Sequence, residues 1–123
     1  LRPGIDWIGL QKEIPAGDAA PLASHGGIRD VSAHLHDFAE TAAAVDQLDL
    51  LVTVDTSIAH VAGALGKPVW ILLPHGSHDW RWLLEREDSL WYPTARLFRQ
   101  PAPGDWESVA VRVRDELGSA FDV

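Results

Sequence analysis

At 123 residues and 46% apolar content, the chain is long enough for one α/β domain with a real core and short for two, so a single domain over 1–123 is expected. Its formal charge of -8 opposes a phosphate backbone and no cluster of Lys and Arg offers a compensating stripe, which argues against a nucleic-acid partner. Without cysteine there is no disulfide framework, zinc–thiolate site or thiol nucleophile, and the longest apolar run, 69–73, falls far short of the roughly 20 residues of a membrane span; a soluble, cytoplasmic protein is expected.

Ile5 to Leu10 alternates partially around Ile and Trp and is closed by charge and Pro15, the pattern of a short strand. The Ala, Gly and Pro of 15–27 predict a loop around a short helix, and Ile28 to Val31 a second short strand. Asp37 followed by Glu40 has the form of a capping box, and Ala42, Val45 and Leu48 then recur at helical spacing. Leu50-Leu51-Val52-Thr53-Val54 is an apolar, β-branched run expected of a strand covered on both faces. From Thr56 onward Ile58, Val61, Ala62 and Leu65 fall on one helix face, with Gly66 as the stop signal and Pro68 beyond. Val69 to Leu73 is a second buried strand, closed by Pro74. Strand, helix and strand with short joints make a βαβ unit with parallel pairing and a right-handed crossover. Farther on, 80–87 predicts a short helix and Arg96 to Arg99 a short strand. Asp105 would cap a last helix that buries Trp106, Val109, Val113 and Leu117. The fold class is therefore α/β, a Rossmann-like parallel sheet with helices on both faces.

In such sheets ligands sit beyond the carboxyl ends of the strands, where unpaired helix amides gather. Asp55, Thr56, Ser57 and Ile58 occupy that place. The first-turn amides carry about half a positive charge, and the two hydroxyls stand beside them, so a phosphate is held without any lysine. His60 follows closely enough to reach a second phosphate or a sugar hydroxyl. Ala59, Ala62, Gly63 and Ala64 are small and let the helix approach the sheet. Plain capping explains Asp, Thr and Ser at a helix start equally well, and a flank histidine is more often structural than ligating.

The stretch from Val54 through Asp55-Thr56-Ser57-Ile58-Ala59-His60-Val61-Ala62-Gly63-Ala64-Leu65-Gly66-Lys67 to Pro68 resembles the D-T-[GS]-x-x-H-x-A-x-A-L-G-x-P signature of glycosyltransferase family 9, which includes the bacterial heptosyltransferases. Asp79-Trp80-Arg81-Trp82, Trp91-Tyr92-Pro93-Thr94, Arg96 to Gln100 and Gly104-Asp105-Trp106 resemble a narrower bacterial group that joins tetratricopeptide repeats to such a domain. The resemblance implies the carboxyl-terminal half of a GT-B enzyme, which binds a nucleotide-diphosphate sugar. On it, Asp55 contacts the sugar, Thr56, Ser57 and Ile58 offer amides to the diphosphate, and His60 lines the site. Transfer in the family uses no bound metal and no cofactor is implied; the helix dipole neutralises the departing diphosphate. The catalytic base belongs to an amino-terminal domain that this sequence does not contain. The resemblance starts at Leu10-Gln11-Lys12, past the domain's usual first strand, which is normally central in the sheet. Either the sheet closes differently or another chain fills the gap, and an exposed edge favouring self-association is expected. The chain also lacks methionine even at its start, as a piece of something longer would.

His75, Trp80, Arg81 and Trp82 are further candidates near the ligand. His75, His78 and Asp79 have the spacing of a metal trio, but loop histidines are usually solvated and no native metal site is expected; His34 and His36, two apart on a strand or turn, suit an adventitious ion better. Trp80 and Trp82 fit a stacking contact or a core, Trp106 a core, and Arg81 a phosphate clamp or an ion pair with Glu85. The leading reading is a donor-binding domain, inactive by itself, whose parent transfers a sugar to an acceptor. The rival is a non-catalytic module whose aromatic surface binds a protein or a second copy.

Overall fold

The computed structural model describes residues 2–76, 81–84 and 86–123. Strand β1 (Trp7–Gly9), helix α1 (Ala16–His25) and strand β2 (Ile28–Asp30) come first, β1 and β2 pairing in parallel with Trp7 opposite Ile28. Helix α1 is longer than the loop-rich sequence suggested, tolerates Pro21 within it, and ends where Gly26 turns left-handed at φ 65°. A single 3-10 turn at Ser32–His34 follows, so His34 and His36 share no strand; His36 instead pairs with Glu40 at 2.8 Å.

Helix α2 (Phe38–Asp46) starts at Asp37, whose carboxylate accepts from the Glu40 amide at 2.8 Å. Only half of the predicted capping box forms, because Glu40 reaches one residue farther back and accepts from the His36 amide at 2.7 Å. Strand β3 (Leu51–Val54), helix α3 (Ser57–Ala64) and strand β4 (Val69–Leu73) then make the expected βαβ unit, β3 and β4 being parallel with Leu51 opposite Val69. Helix α3 closes in a Schellman motif: Lys67 N–H donates to Ala62 O at 3.0 Å, Gly66 N–H to Gly63 O at 3.1 Å, and Gly66 takes φ 69°. Strand β5 (Ala95–Arg99) joins β4 in parallel, and helix α4 (Trp106–Phe121) ends the chain.

The period-2 alternation of the strands divides the core in two. Leu51, Val69, Ile71, Leu73, Ala95 and Leu97 face α2 and α3, where they meet Val45, Ala59, Ala62 and Trp82. Trp70 and Phe98, with Val52 and Leu72, face the α4 residues Val109, Val113 and Leu117. Helices thus cover both faces, and the α/β Rossmann-like class holds. Asp105 caps α4 as predicted, accepting from Ser108 Oγ at 2.6 Å and its amide at 3.1 Å, and these bonds hold its carboxyl below the usual aspartate range. Trp106, expected in the core, is 42% exposed: it is the first residue of α4, and the buried stripe starts one turn later at Val109.

Two further departures concern the sheet and the loop after β4. Among the described residues no ladder joins the two sheets, β1–β2 and β3–β4–β5. Strand β1 meets the larger sheet through side chains: Ile5 and Trp7 pack on the α4 side of the core and Leu10 on the other. Strand β3 is consequently an edge, and the expectation that it is covered on both faces fails at Val54, which is 46% exposed. The outer edge of β5 is shielded instead by an antiparallel bridge between Asp88 and Arg96. Over 81–84 and 86–87 the chain turns and forms no helix, Leu83 taking φ 56°. The carbonyls there bond to the Arg99 guanidinium in place of helical amides: Trp82 O at 2.7 Å, Leu83 O at 2.6 Å and Arg86 O at 3.3 Å. Among the described residues no helix is long and apolar enough to cross a membrane.

Candidate functional site

The carboxyl end of β3 delivers Asp55, and α3 begins two residues later. Thr56 is the N-cap with extended backbone, φ -138° and ψ 173°, yet its side chain makes no capping bond; its hydroxyl lies 3.4 Å from that of Thr53. Ala59 N–H turns back to Thr56 O at 3.1 Å, while among the described residues no acceptor takes the amides of Ser57 and Ile58. Plain capping therefore does not account for this turn. Asp55, Thr56 and Ser57 are exposed and Ile58 is half-buried against the core, so the turn presents two unpaired donors and the helix dipole to solvent.

His60 stands on the first turn and a half of α3 with its side chain 32% exposed. Its Nε2 is 3.8 Å from Asp55 Oδ1, and its Nδ1 is 2.9 Å from the Tyr92 hydroxyl. The Trp82 ring stacks on it at 5.5 Å between centroids and 22° between planes, and Tyr92 meets it edge-on at 5.7 Å. A histidine held on two edges and one face cannot rotate freely, which gives its remaining donor capacity a fixed direction.

The small residues of α3 divide their work. Ala59, Ala62 and Gly63 are buried while Ala64 and Leu65 are exposed, so the buried stripe is the small-residue one and only partly the apolar one read from spacing. A methyl group built on Gly63 would collide with the Tyr92 ring. The close approach at Gly63 therefore serves the loop bearing Tyr92 rather than the sheet. Tyr92, passed over as a site residue in the sequence, is brought to the centre of the cluster; the signal pointing to it is a glycine inside a helix, which costs about 1 kcal/mol relative to alanine unless something needs the space.

Of the other candidates, Trp82 is fully buried and presents no face to a ligand. His75 is exposed and tied to the mouth of β5: its amide donates to Gln100 Oε1 at 2.9 Å, and its Nδ1 lies 3.3 Å from Gln100 O. Arg81 is half-buried. Trp80, the His78 and Asp79 of the metal trio, and the Glu85 offered to Arg81 lie outside the described residues. Among the described residues no three His, Asp or Glu side chains gather to hold a metal.

Protein FlbA of Caulobacter vibrioides is 35% identical over 122 residues, covering 94% of this chain and 20% of FlbA, so the chain spans about a fifth of that relative's length. No solved structure matches. Residues 24–79 match the model of glycosyltransferase family 9 (heptosyltransferase), a span that holds β2, α2, β3, α3 and β4. Over that span, which carries the Asp55 turn and His60, the chain is similar to glycosyltransferase family 9.

Proposed function

We propose that this domain is the donor-binding half of a GT-B glycosyltransferase and takes a nucleotide-diphosphate sugar at the β3–α3 turn. The observation that carries the reading is the uncapped start of α3, with the Ser57 and Ile58 amides unpaired beside Asp55 and His60, inside the family 9 segment. The amides of Thr56, Ser57 and Ile58 bind the diphosphate, Asp55 accepts from sugar hydroxyls, and the His60 Nε2 side lines the pocket between them. Charge on the departing diphosphate is met by the helix dipole and needs no metal. The acceptor and the catalytic base belong to a partner domain, so the domain alone binds without turnover. Calorimetry with nucleoside diphosphates and their sugars is expected to give binding that His60→Ala weakens for both ligands, and Asp55→Ala for the nucleotide sugar alone, by about 10- to 100-fold, the value of one hydrogen bond to a charged group. If wild type ignores every nucleotide, the reading is wrong.

A second reading is favoured by the split sheet. Among the described residues strands β1 and β3 each lack a ladder on one side, and Val54 lies exposed on β3, so two copies of the chain have edges to exchange. Sedimentation at tens of micromolar protein is expected to show a dimer, and Val54→Lys, which puts a charge on that edge, to restore the monomer. Wild type sedimenting as a monomer at every concentration removes this reading and leaves the first intact.

A further inference from the structure

We propose that Tyr92 is a positioning residue that sets the tautomer of His60, holding Nδ1 as an acceptor so that Nε2–H points as a donor toward the Asp55 side of the β3–α3 turn. The inference rests on the reading of that turn as the donor site and names how one of its groups is aimed. A neutral imidazole has one N–H and one bare nitrogen, and its neighbours decide which is which. The Asp55 carboxylate, on the Nε2 side at 3.8 Å, can only accept, whereas the Tyr92 hydroxyl, 2.9 Å from Nδ1, can donate or accept. Only one arrangement suits both neighbours: Tyr92 O–H donates to Nδ1, and Nε2 carries the proton.

The distance to Asp55 has its own consequence. At 3.8 Å the carboxylate orients the N–H electrostatically but is too far to form a hydrogen bond. The donor therefore stays available for a ligand oxygen entering beside it, such as a phosphate or sugar oxygen. The opposite tautomer would turn a lone pair toward that oxygen and repel it.

Tyr92 is itself fixed in ways that suit the role. Its ring lies against the bare backbone at Gly63, where any side chain would overlap it. Its amide and that of Trp91 donate to the buried Ser89 Oγ at 3.2 and 3.1 Å, and its carbonyl accepts from Ala95 at 3.0 Å. Trp82 adds a flat wall under the imidazole and has no partner for its Nε1, so it acts here through its face. Hydroxyl, wall and carboxylate thus constrain three sides of one ring.

The test has a spectroscopic arm that requires no ligand. Long-range proton–nitrogen spectra of the neutral His60 ring are expected to show Nε2 protonated and Nδ1 bare and hydrogen-bonded. In Tyr92→Phe, which keeps the ring against Gly63, the Nδ1 resonance moves to that of a free acceptor. A protonated Nδ1 in wild type, or an Nδ1 resonance untouched by Tyr92→Phe, overturns the proposal. In the binding arm, titration with UDP and ADP is expected to give a roughly tenfold loss for Tyr92→Phe in the wild-type background and no further loss in His60→Ala. Independent losses that multiply would mean that Tyr92 acts on the ligand or the fold directly, and would also overturn it. Failure of wild type to bind either nucleotide counts against the donor-site reading alone, since the spectra decide the tautomer by themselves.

Discussion

Replacing Trp82 with alanine is expected to cost about 3–5 kcal/mol of folding stability, the usual range for emptying a fully buried aromatic site. The side chain is 0% exposed and packs among Ile71, Leu73, Ala59 and Ala62, where α3 and the sheet converge. A domain of this size has roughly 5–15 kcal/mol in hand, so the variant should melt some ten or more degrees lower or fail to fold at 37 °C. Trp82→Phe separates packing from chemistry. The phenyl ring keeps a wall under His60 and removes an indole N–H that has no partner, offsetting part of the lost volume. It is expected to lose no more than about 1–2 kcal/mol and to bind nucleotide nearly as wild type does. Were Trp82 a stacking platform for the ligand, the pattern would invert: Trp82→Phe would melt normally and lose affinity. Thermal melts and calorimetry on the two variants distinguish these outcomes.

What the sequence disclosed follows the range of the forces involved. The βαβ unit was legible because β-branched runs at Leu51–Val54 and Val69–Leu73 and the stop at Gly66 are local signals, each acting within a turn or a strand. The cap at Asp105 is equally local. The helix expected over 80–87 does not form at 81–84 and 86–87 because the determinant there, Arg99, lies 16 or 17 residues away from the carbonyls of Leu83 and Trp82. Likewise Asp55 and His60 could be paired by position along one turn and helix, whereas the Tyr92 contact to His60 spans 32 residues. Trp82 could not be placed for a related reason: indole area serves a core and a ligand equally, and only the exposure of the folded chain decides. The division into two sheets was not legible, since edge pairing leaves no mark in the pairing strands themselves; the departure from the family pattern at Leu10 implied only an exposed edge.

Arg99→Leu is expected to loosen the site from beyond its rim, at a cost of about 2–4 kcal/mol, because it leaves three loop carbonyls without their shared charged donor. Arg99 stands at the end of β5 opposite Leu73, and alternation sends its side chain to the same face as Ala95 and Leu97, the face on which Trp82 packs. Nη2 spans Trp82 O and Leu83 O while Nε reaches Arg86 O, a fork that also holds Leu83 in its left-handed backbone at φ 56°. That conformation costs an L-residue about 1–2 kcal/mol, so the loop does not keep its shape unaided. Burial lowers the Arg99 pKa from its ordinary value, yet guanidinium remains charged at any working pH. Arg99→Lys should recover only part of the loss, since one ammonium cannot reproduce the planar fork across three acceptors. Denaturant unfolding reports the global cost, and trypsin cutting after Arg86 in the native state reports local opening, expected to quicken in both variants and more in Leu. Because the loop supplies Trp82 and Tyr92 to His60, nucleotide affinity should fall several-fold although Arg99 is not among the residues proposed to touch the ligand. An Arg99→Leu protein that loses less than about 1 kcal/mol and resists trypsin as wild type does would show that the loop holds itself, and that the aim of His60 is set by Gly63 and Ser89 alone.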